Sequence, residues 1–172
     1  MKSNFQAGFT LIELMIVGSI LIVLIAIGAP GLQTFIKNNR ILAQSNLLMV
    51  SVKTARSEAM TQRVPVRFCS SNNGTSCSGS WSDGHIAFTD NDGNGSINGD
   101  DTVVLFNRTD NPDITISYSG GNFINFDRRG RAVGSSGSLL FCDDRGSSYA
   151  RGITVDPIGR SKTTAGTLNC GG

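Results

Sequence analysis

The chain has 172 residues, 39% hydrophobic and 16% charged, with a formal net charge of +2. That balance names no partner by itself, and the length leaves room for one small domain with a real core, not two, beyond a long helix. His85 is the only histidine and no Gly-x-x-x-x-Gly-Lys-Ser/Thr stretch occurs, so nothing points to a Ser-His-Asp or Cys-His centre or to a nucleotide site.

Residues 1–8 are short and polar, with Lys2 suited to the cytoplasmic side of a membrane. Phe9 to Ala29 is an apolar run of 21 residues with one ionisable side chain, Glu13, near its start. As a helix it spans roughly 30 Å, the thickness of a bilayer's hydrocarbon. A carboxylate inside such a segment costs about 2.5–3.5 kcal/mol, so Glu13 calls for a partner. An ordinary secretory signal has a shorter apolar core, and a cut after Ala29 would put Pro30 directly behind the scissile bond. A plain anchor explains the apolar run but neither Gly8-Phe9 nor Glu13.

Leu32 to Met60 is expected to continue as helix. Leu48, Val52, Ala55 and Ala59 recur at i, i+4, i+7 and i+11, with Lys37, Arg40, Gln44, Lys53, Ser57 and Glu58 among the polar positions. Pro65 ends it at or before Val64. Short runs of β-formers follow at 66–70, 84–89, 102–107, 114–118, 123–127, 139–142 and 153–156, separated by Gly, Asn, Asp and Ser clusters. The apolar stripe of the helix needs a sheet to cover it. The expected fold class is therefore α+β, a long N-terminal helix on an antiparallel β-domain in a lollipop arrangement. The expected divisions are 1–8, the spanning helix 9–29, its amphipathic continuation 30–63, and a β-rich domain 64–172.

Cys69, Cys77, Cys142 and Cys170 form an even set beyond a membrane segment, which suggests an oxidising compartment and two disulfides. Three connectivities are open. Pairing Cys69 with Cys77 would close a Ser/Asn/Gly-rich loop, and pairing Cys142 with Cys170 would tie down the C-terminus. Zinc is the rival, but there is no Cys-x-x-Cys and only one histidine.

Charge is unevenly spread. Asp83 to Asp113 holds seven Asp and one Arg, a net of −6, whereas Arg128 to Gly172 holds seven Arg/Lys and three Asp, a net of +4. Within the acidic part, Asp90, Asp92, Asn94, Asn98 and Asp101 offer oxygen ligands in a calcium-loop pattern, with Gly95 at the sharp turn and Asp for the usual Glu at the last place. Strands rather than helices flank it, so a turn-rich hairpin loop without a cofactor is the favoured reading, with Ca²⁺ as the alternative. In the basic part, Arg128, Arg129 and Arg131 cluster around Gly130, and Arg160 and Lys162 follow. They make a candidate surface for weak, salt-sensitive binding of DNA phosphates, set against a solvated turn surface or contacts with acidic neighbours.

Gly8-Phe9, Glu13 and Pro30 together resemble the class III signal of type IV pilins and type II secretion pseudopilins. The resemblance covers Met1 to about Gln62. It implies that a prepilin peptidase and methyltransferase cuts after Gly8 and methylates Phe9, that Glu13 serves subunit assembly, and that Pro30 kinks the helix. The new α-amine at Phe9 has an unperturbed pKa of about 8. Docked against a neighbour's Glu13, it would cancel two buried charges that are each costly alone. Downstream, Trp81-x-x-Gly84-x-x-x-Phe88-x-Asp90, then Thr102-Val103-Val104-Leu105, Asn125-Phe126-Asp127-x-x-Gly130 and Ile153-Thr154-Val155-x-x-x-Gly159-Arg160 are similar to the FimT/FimU and GspH group of minor pilins and minor pseudopilins. Pilin-like proteins often carry a C-terminal disulfide. Gly159-Arg160-Ser161-Lys162 resembles the Gly-Arg-x-Arg element of FimT-type DNA-binding minor pilins, with Lys in place of the last Arg and hence no bidentate fork there.

The resemblance implies no enzyme, but a minor pilin of the priming or tip complex of a type IV pilus. The alternatives are a GspH-like minor pseudopilin of a type II secretion system and a FimT-like DNA receptor for natural transformation. The implied partners are other minor and major pilins or pseudopilins. The implied location is the bacterial inner membrane with a periplasmic C-terminal domain, then the pilus tip or pseudopilus.

Overall fold

The computed structural model describes residues 9–109, 111–165 and 168–170. Gly8 lies outside them, and so does the side chain of Pro30. The chain forms two compact units, Met1–Asn39 and Arg40–Gly172. One helix, α1 (Leu11–Gln62), contributes to both. In the first unit its large apolar side chains from Leu11 to Ile27 are all exposed.

In the second unit α1 buries one face. Ile41, Ser45, Leu48, Val52, Ala55 and Ala59 are nearly inaccessible, a stripe at helical spacing that begins two turns earlier than the sequence periodicity suggests. The helix ends where Arg63 adopts a left-handed φ of 57°, two residues ahead of Pro65.

Eight strands follow: β1 (Val66–Ser70), β2 (Gly84–Thr89), β3 (Val103–Arg108), β4 (Thr115–Tyr118), β5 (Phe123–Phe126), β6 (Gly137–Cys142), β7 (Arg151–Val155) and β8 (Ser161–Ala165). They form two antiparallel four-stranded sheets, ordered β3-β2-β1-β5 and β4-β6-β7-β8. The last strand departs from expectation. Ser161-Lys162 opens β8 instead of sitting in a turn, because backbone pairing with Val155 and Thr154 overrides a polar, Thr-rich sequence that has no alternating apolar side chains.

One core joins helix and sheets: Leu48, Val52 and Ala55 with Phe68, Ala87, Ile124 and Phe126 of the first sheet and Leu139, Phe141, Ile153 and Val155 of the second. β2 is buried along its whole length. Its other face, Ile86 and Phe88, packs with Cys69 and with Ile97 from the Asn/Gly/Asp loop. That loop is thus a lid on the outer face of the first sheet.

Candidate functional site

The N-terminal helix comes first. Thr10 caps α1: Glu13 N donates to Thr10 Oγ1 at 3.3 Å, and Leu14 N donates to the Thr10 carbonyl at 3.2 Å. Thr10-x-x-Glu13 is a capping-box sequence, a local signal for the start of the helix. It puts the carboxylate in the first turn, where the helix dipole favours negative charge. Beyond it lies an exposed apolar surface, on a helix long and apolar enough to cross a membrane.

The Asn/Gly/Asp loop brings Asp90, Asp92 and Asp101 together, with one carboxylate oxygen of each within 4.8 Å of the others. Asn94 and Asn98 also converge, each directing its side-chain amide nitrogen at Asp92 Oδ2, at 2.6 and 3.5 Å. Asp90 is fully buried and engaged on both oxygens, by Arg67 Nε at 3.0 Å and by Gly95 N at 3.2 Å. Asp101 accepts from the backbone N–H groups of Asn91 and Asn98. Arg67, stacked over the Phe123 ring at 4.2 Å, supplies positive charge from the protein itself.

The basic residues sort into two turns of one design, a repeat that the sequence displays as Asp127-x-x-Gly130-Arg131 and Asp156-x-x-Gly159-Arg160. In each, the Asp carboxylate accepts from the backbone N–H of the closing Arg, at 2.9 and 2.8 Å, and from its guanidinium Nε, at 2.7 and 2.9 Å. Burial works against both carboxylates, but the Arg131 and Arg129 donors hold Asp127, and the Arg160 donors hold Asp156, below the usual range. Gly130 and Gly159 take the left-handed φ of 70° and 78° that each turn requires. The turns abut: Ala132 N donates to the Pro157 carbonyl at 3.1 Å. Arg56 of α1 clamps both, donating from Nε to the Gly130 carbonyl at 2.9 Å and from Nη2 to the Ile158 carbonyl at 3.2 Å. Of the candidate DNA-binding residues, Arg131 and Arg160 are therefore partly committed to turn carboxylates. Lys162 lies on β8, and with Lys53, Arg56, Arg160 and Ser161 it lines a cleft of about 490 Å³.

His85 is fully buried against the buried Ser51 and the half-buried Asn107. Ser51 Oγ donates to the Leu47 carbonyl at 3.0 Å, lies 2.8 Å from His85 Nε2, and accepts from Asn107 Nδ2 at 3.1 Å. This hydrogen bond holds the His85 ring of β2 against α1. Its Nδ1 has no hydrogen-bond partner. Burial lowers its pKa to about 4.

The cysteines resolve as Cys69–Cys77 and Cys142–Cys170. The first holds the loop after β1, and the second ties the C-terminal segment to β6. There Leu168 covers Gly152, whose missing side chain leaves room for it.

Residues 44–159 match the family model described as "Type II transport protein GspH". No curated protein matches the chain. Among solved structures, the type IV minor pilin FimU of Pseudomonas aeruginosa PAO1 is similar in two crystal forms. In space group P21 the TM-score is 0.57 at 15% identity, covering 76% of this chain and 92% of that one. In P65 the TM-score is 0.53 at 15% identity, covering 72% and 91%. At that identity the likeness shows the fold alone, a pilin-like helix and β-domain. Family and fold are those of structural proteins, not of an enzyme. The family model spans well over half of the chain, and the chain belongs to the GspH family of pilin-like transport proteins.

Proposed function

We propose that this chain is a minor pilin, cut between Gly8 and Phe9, held in the inner membrane by its apolar helix with the β-domain in the periplasm, and then moved into the priming or tip complex of a type IV pilus. The observation that carries the reading is the exposed apolar stretch of α1 with Glu13 as its one ionisable group, in the same chain as a β-domain of pilin-like fold. Its mechanism is structural. The helix exchanges lipid for neighbouring subunits' helices, and Glu13 neutralises the new α-amine of a neighbouring subunit, removing two unpaired charges from an apolar bundle. The fold likeness to FimU supports the pilus. The family description favours a second reading, a minor pseudopilin of a type II secretion system.

A deletion strain separates the two. Loss of twitching with secretion intact supports the pilus, and the opposite pattern supports the pseudopilin. Glu13→Gln keeps a hydrogen-bonding side chain in the first turn and removes its charge. It should leave the protein in the membrane and keep it out of the filament. Incorporation at the wild-type level would sink the charge-pairing mechanism. Mass spectrometry of the mature N-terminus should find a methylated Phe9.

A further inference from the structure

β8 ends the second sheet, with β7 on one side and no strand on the other among the described residues. An unpaired strand edge is a template for another strand. Two of the other sheet edges are plugged. Ser82 Oγ accepts from Ile116 N on β4 at 2.8 Å, and Ser135 Oγ accepts from Asn125 N on β5 at 2.8 Å. On β8, Lys162, Thr163 and Thr164 stand exposed. Asp156 N donates to the Arg160 carbonyl at 3.0 Å. The alternation of an antiparallel ladder then turns the backbone of Lys162 and Thr164 toward β7, and that of Ser161 and Thr163 outward.

The cleft beside this edge is basic, lined by Lys53 and Arg56 of α1 and by Arg160, Ser161 and Lys162. Its arginines are engaged, Arg160 with Asp156 and Arg56 with the Gly130 and Ile158 carbonyls. Lys53 and Lys162 have no ion pair among the described residues.

We propose that the β8 edge and the Lys53–Lys162 cleft dock an extended acidic segment of another protein chain by strand addition. The added strand pairs with the outward backbone of Ser161 and Thr163. Its carboxylates, at alternate positions about 7 Å apart, lie along one face and meet the two lysines. A protein strand fits better than nucleic acid. The cleft's arginines are already partly committed, Arg160 to Asp156 and Arg56 to two carbonyls, and among the described residues no aromatic side chain lines the cleft to stack a base. The surface goes beyond the assembly role of α1 and does not depend on which machine the subunit serves.

The test uses full-length protein in detergent and fluorescence anisotropy with three labelled probes: the peptide Glu-Thr-Glu-Thr-Glu-Thr-Glu, its Lys-for-Glu counterpart, and a short oligothymidine. The acidic peptide should bind and the basic one should not. Lys53→Glu and Lys162→Glu should each weaken binding by about fivefold or more. Thr163→Pro blocks the outward N–H without touching a bond to β7, and it should abolish binding. Lys53→Glu sits on the helix and tests the site independently of strand integrity. No binding of the acidic peptide, binding unchanged by Lys53→Glu and Thr163→Pro, or binding of the oligothymidine alone would each overturn the proposal.

Discussion

His85 Nε2 and Ser51 Oγ meet at 2.8 Å in the buried seam where β2 faces α1. Asn107 of β3 completes the contact, so a single polar cluster ties the helix to two strands. With Nδ1 unpartnered, the imidazole is held neutral by burial.

This cluster makes stability depend on pH. The folded pKa of about 4 lies below the ordinary 6.5, so the unfolded chain takes up the proton first as pH falls. The contribution of His85 is complete above pH 6.5 and drains away toward pH 4, a loss on the order of 3 kcal/mol. Asp127 and Asp156, with pKa values below 3.8, lose their contributions only at lower pH. Urea unfolding at pH 7, 5.5 and 4 should show the earlier loss, and His85→Gln should flatten it.

The paired turns give a second prediction. A Cβ at Gly159 would lie 1.9 Å from the Gly130 carbonyl oxygen at a φ of 78°. Gly159→Ala should cost about 3 kcal/mol or more, because backbone must move. Gly134 has a similar φ of 66° but open space around it, so Gly134→Ala should cost only about 1 kcal/mol. Thermal denaturation of the two variants compares clash plus strain with strain alone.

Asp90 is expected to act as a structural anion for Arg67, not as a calcium ligand. Asp90→Ala leaves Arg67, whose side chain is 15% exposed, without its partner and should cost about 3 kcal/mol. The lid over Ile86 and Phe88 should loosen with it. Melting curves of the wild type in millimolar CaCl₂ and in EDTA should coincide. A calcium-dependent rise in the wild type, absent from Asp90→Ala, would show instead that the loop holds the metal.

The two disulfides should differ in weight. Their sequence separations are 28 for Cys142–Cys170 and 8 for Cys69–Cys77. Loop-closure entropy then assigns about 3.5 kcal/mol to the first and about 2.5 kcal/mol to the second. Cys142→Ser should also free Leu168 from Gly152, which limited proteolysis of the C-terminus would detect.

Much of the fold was legible because its signals are local. The stripe Leu48, Val52, Ala55 and Ala59 repeats within one helix, and the β-formers of β1 and β2 end at residues that close turns. β8 escaped because Ser161–Ala165 has no alternating apolar pattern and owes its strand to β7. The paired Asp-x-x-Gly-Arg turns were visible as a repeat, but their contact was not, since Arg56 joins them through backbone carbonyls that carry no residue identity. The Asp90–Arg67 pair joins residues 23 apart in sequence, one a candidate calcium ligand and the other given no role by its sequence context.

The sequence by itself determined an apolar N-terminal helix with one early carboxylate, a helical continuation that stops ahead of Pro65, a β-rich remainder and a set of four cysteines. These follow from composition and short-range periodicity, which act before any distant contact forms. Only the tertiary structure decided which cysteines pair, which charges face each other and which strands lie at the sheet edges. Those depend on strand order and register, where residues far apart in sequence come within a few ångströms and each buried polar group must find its partner.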